Sequence, residues 1–349
     1  MIRNTNYQPP FPYFGGKSSV ADVIWAAIGD VSNYVEPFCG SAAVLMLRPG
    51  GPGHIETVND ADGLLANFWR ALQKDSDAVA EHADWPVNEA DLHARHLWLI
   101  GERERITERL MGDAEFYDAK AAGWWVWGQC CWIGSGWCSG NGPWTSEDGE
   151  FVLRNPGQGV NRQLPHLRNP GQGVNRQLPH LGDPGKGDEP EASAFGRHRA
   201  GWLKEYLGEF ANRLRSVRVC CGDWARVCGP SVTFRHGMTG VFLDPPYADS
   251  ATRTTGLYAK DCEQVAHAVR EWAIEQGENP LMRIVLAGYE SEHELPASWK
   301  CHEWEAVGGY GLIAGDEGLG RANKSRERLW MSPACLSLAG DSQRSLFAD

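Results

Sequence analysis

The chain has 349 residues, 42 % of them hydrophobic, which suits one large α/β domain with a smaller insert at roughly 100–200 residues per domain. The first residues show no basic start running into an apolar stretch, and nothing approaches the ~20 apolar residues that span a bilayer. Neither a secretory leader nor a membrane anchor is therefore expected, and the chain reads as soluble and intracellular. The formal charge of −12 argues against a uniformly basic nucleic-acid binder, but Arg154–Leu181 holds four Arg and two His with no acid, a basic island in an acidic chain.

In chain order, Tyr13-Phe14-Gly15-Gly16-Lys17-Ser18 comes first. It tempts a phosphate-loop reading, but that motif needs Gly where Phe11 stands and a preceding strand that is missing here. Asn33 to Phe38 reads as a strand running into a turn at Cys39-Gly40, with a small-residue helix start at Ser41-Ala42-Ala43. Ile55 to Val58 reads as a second strand ending in Asn59-Asp60, followed by helical pattern from Gly63 to Leu72 and from Glu89 to Leu110.

Six Trp fall between Trp124 and Trp144. They are expected to form a hydrophobic core, the alternative being that some of Trp132, Trp137 and Trp144 stack on bases. RNPGQGVNRQLPHL at 154–167 recurs unchanged at 168–181. A perfect copy of a Gly/Pro-rich unit is tolerated in a surface loop and not in a packed element, so little regular structure is expected from about 139 to 196. Trp202, Tyr206, Phe210 and Leu214 are spaced as one helix face. Val217 to Cys221, Gly240 to Leu243 and Arg283 to Leu286 read as strands, with a helix from Asp261 to Gln276 between the last two. Strands alternating with helices imply a mainly parallel sheet with helices on both faces and ligands at the strands' carboxyl ends. The ten Cys show no closely spaced pairs of the kind that bind structural zinc, and no metal is expected.

The strongest chemical signal is Asp244-Pro245-Pro246-Tyr247 after the apolar run Val241-Phe242-Leu243. Two prolines stop a strand and set a stiff turn. Such a turn aims a carboxylate, a backbone carbonyl and an aromatic ring into the space beyond the sheet. Methylation of an adenine amino group needs this set. The nitrogen lone pair is delocalised into the ring, and two acceptors, the Asp244 carboxylate and the Pro245 carbonyl, can bind the amino hydrogens so that the lone pair faces a methyl donor. Tyr247 would stack on a base taken out of the duplex. A plain strand-terminating turn is the structural alternative. The corner Glu36-Pro37-Phe38-Cys39-Gly40-Ser41 can admit a small ligand without phosphates, and Asp60 at the end of the next strand suits a ribose diol. For Asp60 the bland alternative is a helix cap.

Taken together, Tyr13–Lys17, Glu36–Ser41, Asn59-Asp60 and Asp244–Tyr247 resemble the Dam-type DNA adenine N6-methylases, over about 1–70 and 215–332. The resemblance implies a Rossmann-like sheet with an inserted DNA-recognition lobe, S-adenosylmethionine as cofactor and double-stranded DNA as partner. It places Tyr13, Gly16, Lys17, Glu36, Phe38, Gly40, Asp60 and Asp244 at the cofactor, with Asp223 near its adenine. It places Asp244, Pro245, Pro246 and Tyr247 at the target base. Asn323–Trp330 resembles the family's closing strand. The implied layout is catalytic residues 1–75 and 201–335, a recognition lobe 76–200, and a tail 336–349.

Arg154, Arg162, Arg168 and Arg176 are the candidate DNA contacts, with a solvated loop as the alternative. Between about 85 and 200 the likeness is faint, so no recognition sequence carries over. A cytosine-ring methylase is set aside because no Pro-Cys pair exists. Amino methylation of cytosine, methylation of RNA adenine and a non-catalytic DNA-binding role stay open. A solitary or phage-borne modifier, monomeric or else dimeric and working at the bacterial nucleoid in the cytoplasm, is the expectation.

Overall fold

The computed structural model describes residues 9–11, 13, 16–132, 137–138, 144–147, 150–153, 197–246, 257–290, 293–304 and 327–338, with the backbone alone at 144–147, 150–153, 197–200 and 257–263. The helices are α1 (Ala21–Ile28), α2 (Ala43–Met46), α3 (Gly63–Lys74), α4 (Ser76–Ala83), α5 (Glu89–Gly112), α6 (Ala119–Cys131), α7 (Arg197–Leu214) and α8 (Leu257–Gly277). The strands are β1 (Asn33–Glu36), β2 (Ile55–Asp60), β3 (Trp144–Glu147), β4 (Glu150–Leu153), β5 (Val217–Cys221), β6 (Thr239–Leu243), β7 (Met282–Tyr289), β8 (Lys300–Glu303) and β9 (Glu327–Met331). Two compact units result: Met1–Gln8 with Phe14–Ala61 and Ser216–Asp349, and Pro9–Tyr13 with Asp62–Arg215. Among the described residues no helix is long and apolar enough to cross a membrane.

The first unit carries a seven-stranded sheet in the order β5-β2-β1-β6-β7-β9-β8. β5, β2, β1, β6 and β7 pair in parallel, and β9 runs antiparallel to both of its neighbours. This is a Rossmann-like, mostly parallel sheet. Alternation along the central strands decides what covers each face. Val35, Val241 and Leu243 join Val269 and Ala273 of α8 in one buried cluster. The opposite face holds α1: Trp25 packs on Tyr34 with ring centroids 4.7 Å apart, and its indole N–H donates to the Val44 carbonyl at 2.7 Å. Gly240 lies on that face because α1 comes close, and a Cβ there would meet Ile28 at 2.4 Å. The short α1 escaped the sequence reading because it is apolar almost all round and shows no polar stripe.

Among its described residues, the second unit is helical apart from the β3–β4 hairpin. α3, α4, α5 and α6 each begin after an Asp or Asn (Asp62, Asp75, Asn88, Asp118) whose side chain accepts a first-turn N–H, which fixes where these helices start. Trp69, Trp125 and Trp127 are buried, and Phe11 packs on Phe68, Trp69 and Trp125. The Arg95 guanidinium lies among Trp85, Trp124 and Trp127, 4.3 Å from the last ring centre. Trp132 and Trp137 are likewise buried and pack on His96, so they serve the core and are not open to bases. Burial pushes the His96 imidazole down to about 4, with the charges of His93 and Arg103 acting the same way, and its Nδ1 accepts the Cys138 N–H.

The expectation of little regular structure from 139 to 196 is corrected at one place. β3 and β4 pair antiparallel, Trp144 opposite Leu153 and Glu147 opposite Glu150. The signal was in the sequence: Asp148-Gly149, a dipeptide favoured between the strands of hairpins, stands between segments rich in strand formers. The duplicated segment 154–181, with Arg154, Arg162, Arg168 and Arg176, lies outside the described residues.

Candidate active site

Strand order reverses between β1 and β6, and in open α/β sheets ligands settle beyond the carboxyl ends of the strands at such a point. Glu36 ends β1, and Asp244 follows Leu243, the last residue of β6. Pro245 is buried and Pro246 exposed, while Tyr247 lies outside the described residues. The Asp244 Oδ2 stands 2.9 Å from the Lys17 Nζ, and Lys17 is buried to 3 % exposure although it carries a charge. A second acid, Glu327 at the start of β9, places its Oε2 3.9 Å from the same ammonium. Lys17 thus joins the amino-terminal segment to the tips of β6 and β9.

Glu36 is buried, and its Oε2 accepts the Tyr34 hydroxyl at 3.1 Å. The two side chains share a face because they are two residues apart on a strand. Burial pushes the Glu36 carboxyl up to about 8; the bond from Tyr34 pulls it back, and the charges of Asp244 and Glu56 add to the rise. Glu36 is therefore protonated at neutral pH. Burial also raises the Cys39 thiol well above its usual range, helped by Asp60 and Glu36, so Cys39 is an inert core group and no nucleophile.

The loop after β1 turns sharply at Gly40, where φ is 45°, and at Ala42, where φ is 51°. Gly40 suits this left-handed region, and its N–H donates to the Asp60 Oδ2 at 3.1 Å. Asp60 does not cap α3. That role falls to Asp62, which accepts the Leu64 N–H at 2.9 Å. Asp60 is half-buried at the tip of β2, tied to the corner that follows β1. Beyond β5, Asp223 is exposed and accepts the Ala225 N–H at 2.9 Å, starting the single turn Trp224–Val227. The Trp224 ring stacks with Phe38 at 6.2 Å, both partly exposed.

Sequence reasoning named Asn59 but gave it no role of its own. It is buried in β2 between β1 and β5, and its Nδ2 donates to the Pro37 carbonyl at 3.0 Å and the Gly222 carbonyl at 2.9 Å. One amide therefore joins the corner after β1 to the corner before Asp223. The available signal was a fully polar residue inside a buried parallel strand, where apolar residues are the rule. Trp224 and Glu327 were also given no role. Gly16 is exposed directly before Lys17, and Tyr13 belongs to the second unit, with its ring 5.9 Å from that of Phe11.

The end of the sheet formed by β5, β2, β1, β6 and β9 thus carries Asp223, Asp60, Glu36, Asp244 and Glu327 at or just beyond its strand ends, the last two beside buried Lys17, with the Phe38 and Trp224 rings toward β5. Such a set can hold a diol, face a flat ring and accept amino hydrogens. Residues 13–96 match the family model described as D12 class N6 adenine-specific DNA methyltransferase. No curated protein matches the chain.

Proposed function

We propose that this chain, whose residues 13–96 match the D12-class methyltransferases, transfers a methyl group from S-adenosylmethionine to the exocyclic nitrogen of adenine in DNA. The observation that carries the reading is the position of Asp244 at the strand-order reversal, 2.9 Å from buried Lys17 and next to the tip of β1.

The residues present suit the cofactor. Asp60 offers a half-buried carboxylate for the ribose diol, Phe38 and Trp224 offer partly exposed rings for the purine, and Gly40 leaves the corner after β1 without a side chain. Asp223 stands at the same side. Gly16 and Lys17 complete the proposed set. When bound, the cofactor supplies an electrophilic methyl on a positively charged sulfur. The protein's part is positioning. The Asp244 carboxylate and the Pro245 carbonyl take the two amino hydrogens of the adenine, which directs the nitrogen lone pair toward the methyl. Pro245 and Pro246 fix the backbone that presents both acceptors. Lys17 balances the charge of Asp244 and fixes its direction. Tyr247 stacks on the flipped base, and the surplus proton leaves through the Asp244 carboxylate.

The second unit, with Arg154, Arg162, Arg168 and Arg176, carries the contacts to double-stranded DNA in this reading. The protein acts as a monomer in the bacterial cytoplasm, at the nucleoid, as a solitary modifier.

The test is transfer of labelled methyl groups to DNA by Asp244→Ala, with folding followed by circular dichroism and cofactor capture by ultraviolet crosslinking. The variant should fold and transfer nothing. Undiminished methylation would refute the assignment, and failure of the wild-type protein to crosslink cofactor would favour a bare DNA binder. Digestion of the product to nucleosides identifies the methylated base.

A further inference from the structure

We propose that Glu327 is a positioning residue for methyl transfer: it shares the Lys17 ammonium with Asp244 and so leaves Asp244 a stronger acceptor for the substrate amine. This rests on the reading of Asp244 given above.

The geometry is built by the sheet. β9 runs antiparallel to β7, so its first residue lies at the end where β6 finishes, and Glu327 sits opposite Tyr289, the last residue of β7. Asp244 and Glu327 therefore stand on either side of the β7 tip, with the Lys17 Nζ 2.9 Å from one and 3.9 Å from the other. Their side chains are 19 % and 13 % exposed. The Glu327 Oε2 is buried and, among the described residues, accepts no hydrogen bond. A buried carboxylate oxygen without a donor is costly, and folds rarely keep one for packing alone. At 3.9 Å its contact with Lys17 is too long for a hydrogen bond and too close to ignore as a charge, so it acts on the pair through its field.

A lysine facing a single carboxylate concentrates its whole charge there and competes with an amino hydrogen for the same acceptor. A second carboxylate beside the ammonium divides that charge. Burial raises the Glu327 carboxyl above the usual range, Lys17 opposes the rise and Asp244 adds to it. Asp244 likewise adds to the rise of the Glu36 carboxyl at the tip of β1. On the neighbouring strands the titratable groups are Arg283 and Tyr289 of β7 and Lys300, Cys301, His302 and Glu303 of β8, with Glu303 3.7 Å from Arg328. Glu327 thus exchanges its proton at a higher pH than an exposed glutamate. Once protonated, it no longer shares Lys17.

The experiment measures kcat and KM for DNA and cofactor across pH in the wild-type protein, Glu327→Gln and Glu327→Asp, with Asp244→Ala beside them. Near pH 8, Glu327→Gln should lower kcat by about tenfold and leave both KM values within about twofold, the signature of an interaction made in the transition state. The ratio of wild-type to Glu327→Gln rates should shrink toward unity as the pH falls and Glu327 loses its charge. Glu327→Asp should recover part of the loss, because it restores the charge. An unchanged kcat, a loss confined to KM, or the same fold-loss at every pH would overturn the proposal. An active Asp244→Ala would instead overturn the functional reading beneath it. An inactive Asp244→Ala beside an unaltered Glu327→Gln would overturn this proposal alone.

Discussion

Replacing Asn59 with Asp changes one NH2 group into an oxygen and leaves size and shape alone. In the native protein that NH2 spans β2, giving one hydrogen to the Pro37 carbonyl at 3.0 Å and one to the Gly222 carbonyl at 2.9 Å. The carboxylate has none to give, so one buried and one part-buried carbonyl lose their donor and face a negative oxygen. At about 1–3 kcal/mol for each orphaned group, the expected loss is about 4 kcal/mol. That is a large share of the roughly 5–15 kcal/mol that holds a domain together. Protonation of the new carboxyl returns one hydrogen, so its folded-state pKa lies above that of the unfolded chain, and the folded state holds the proton more tightly. The penalty is therefore smallest below about pH 4 and grows as the pH rises through the folded value. Urea unfolding followed by circular dichroism between pH 5 and 8 measures this, at values bracketing roughly the ordinary carboxylate range and neutrality. Cofactor titration on the same samples should show weaker binding, because both corners that flank Asp60 are loosened. A variant within about 0.5 kcal/mol of wild type, at the margin expected of an inconsequential surface change, would refute the reasoning.

Two further outcomes are expected. Gly240→Ala should destabilise the protein by about 1–2 kcal/mol, because its Cβ meets Ile28 at 2.4 Å and the overpacking outweighs the gain in strand propensity; chemical denaturation measures it. Glu36, pushed up to about 8 mainly by burial, holds its proton more tightly folded than unfolded, so its stabilising contribution is full at acid pH and is lost as the pH rises from about 5 through 8. Glu36→Gln should flatten the fall in stability over that window, and an identical slope in the two proteins would refute the assignment.

The central strands, the long helices and the acid-bearing corners were legible in the sequence because each rests on local rules. Apolar runs ending in Glu36-Pro37, Asn59-Asp60 and Asp244-Pro245 read as strands that stop, and periodicity marked α3 and α5. The hairpin β3–β4 also obeyed a local rule, the Asp-Gly dipeptide at 148–149 between two runs of strand formers, but the Gly/Pro-rich repeat that follows obscured it. α1 was hidden because a helix buried almost all round carries no periodic contrast.

Pairings between residues far apart in the chain belong to the tertiary structure alone. Nothing in the sequence assigns the Lys17 ammonium to Asp244 and Glu327, hundreds of positions away, or lets Asn59 tie Pro37 to Gly222. The adjacent carboxylates Asp60 and Asp62 divided their tasks in the same way, one taking the Gly40 N–H and the other the start of α3. The amino-acid sequence by itself determined which strands exist and which chemical groups stand at their ends, because hydrogen-bonding capacity, proline geometry and side-chain alternation are properties of short segments. The order of the strands in the sheet decided which of those groups share one volume, because burial, distance and charge are set only when the chain has closed on itself.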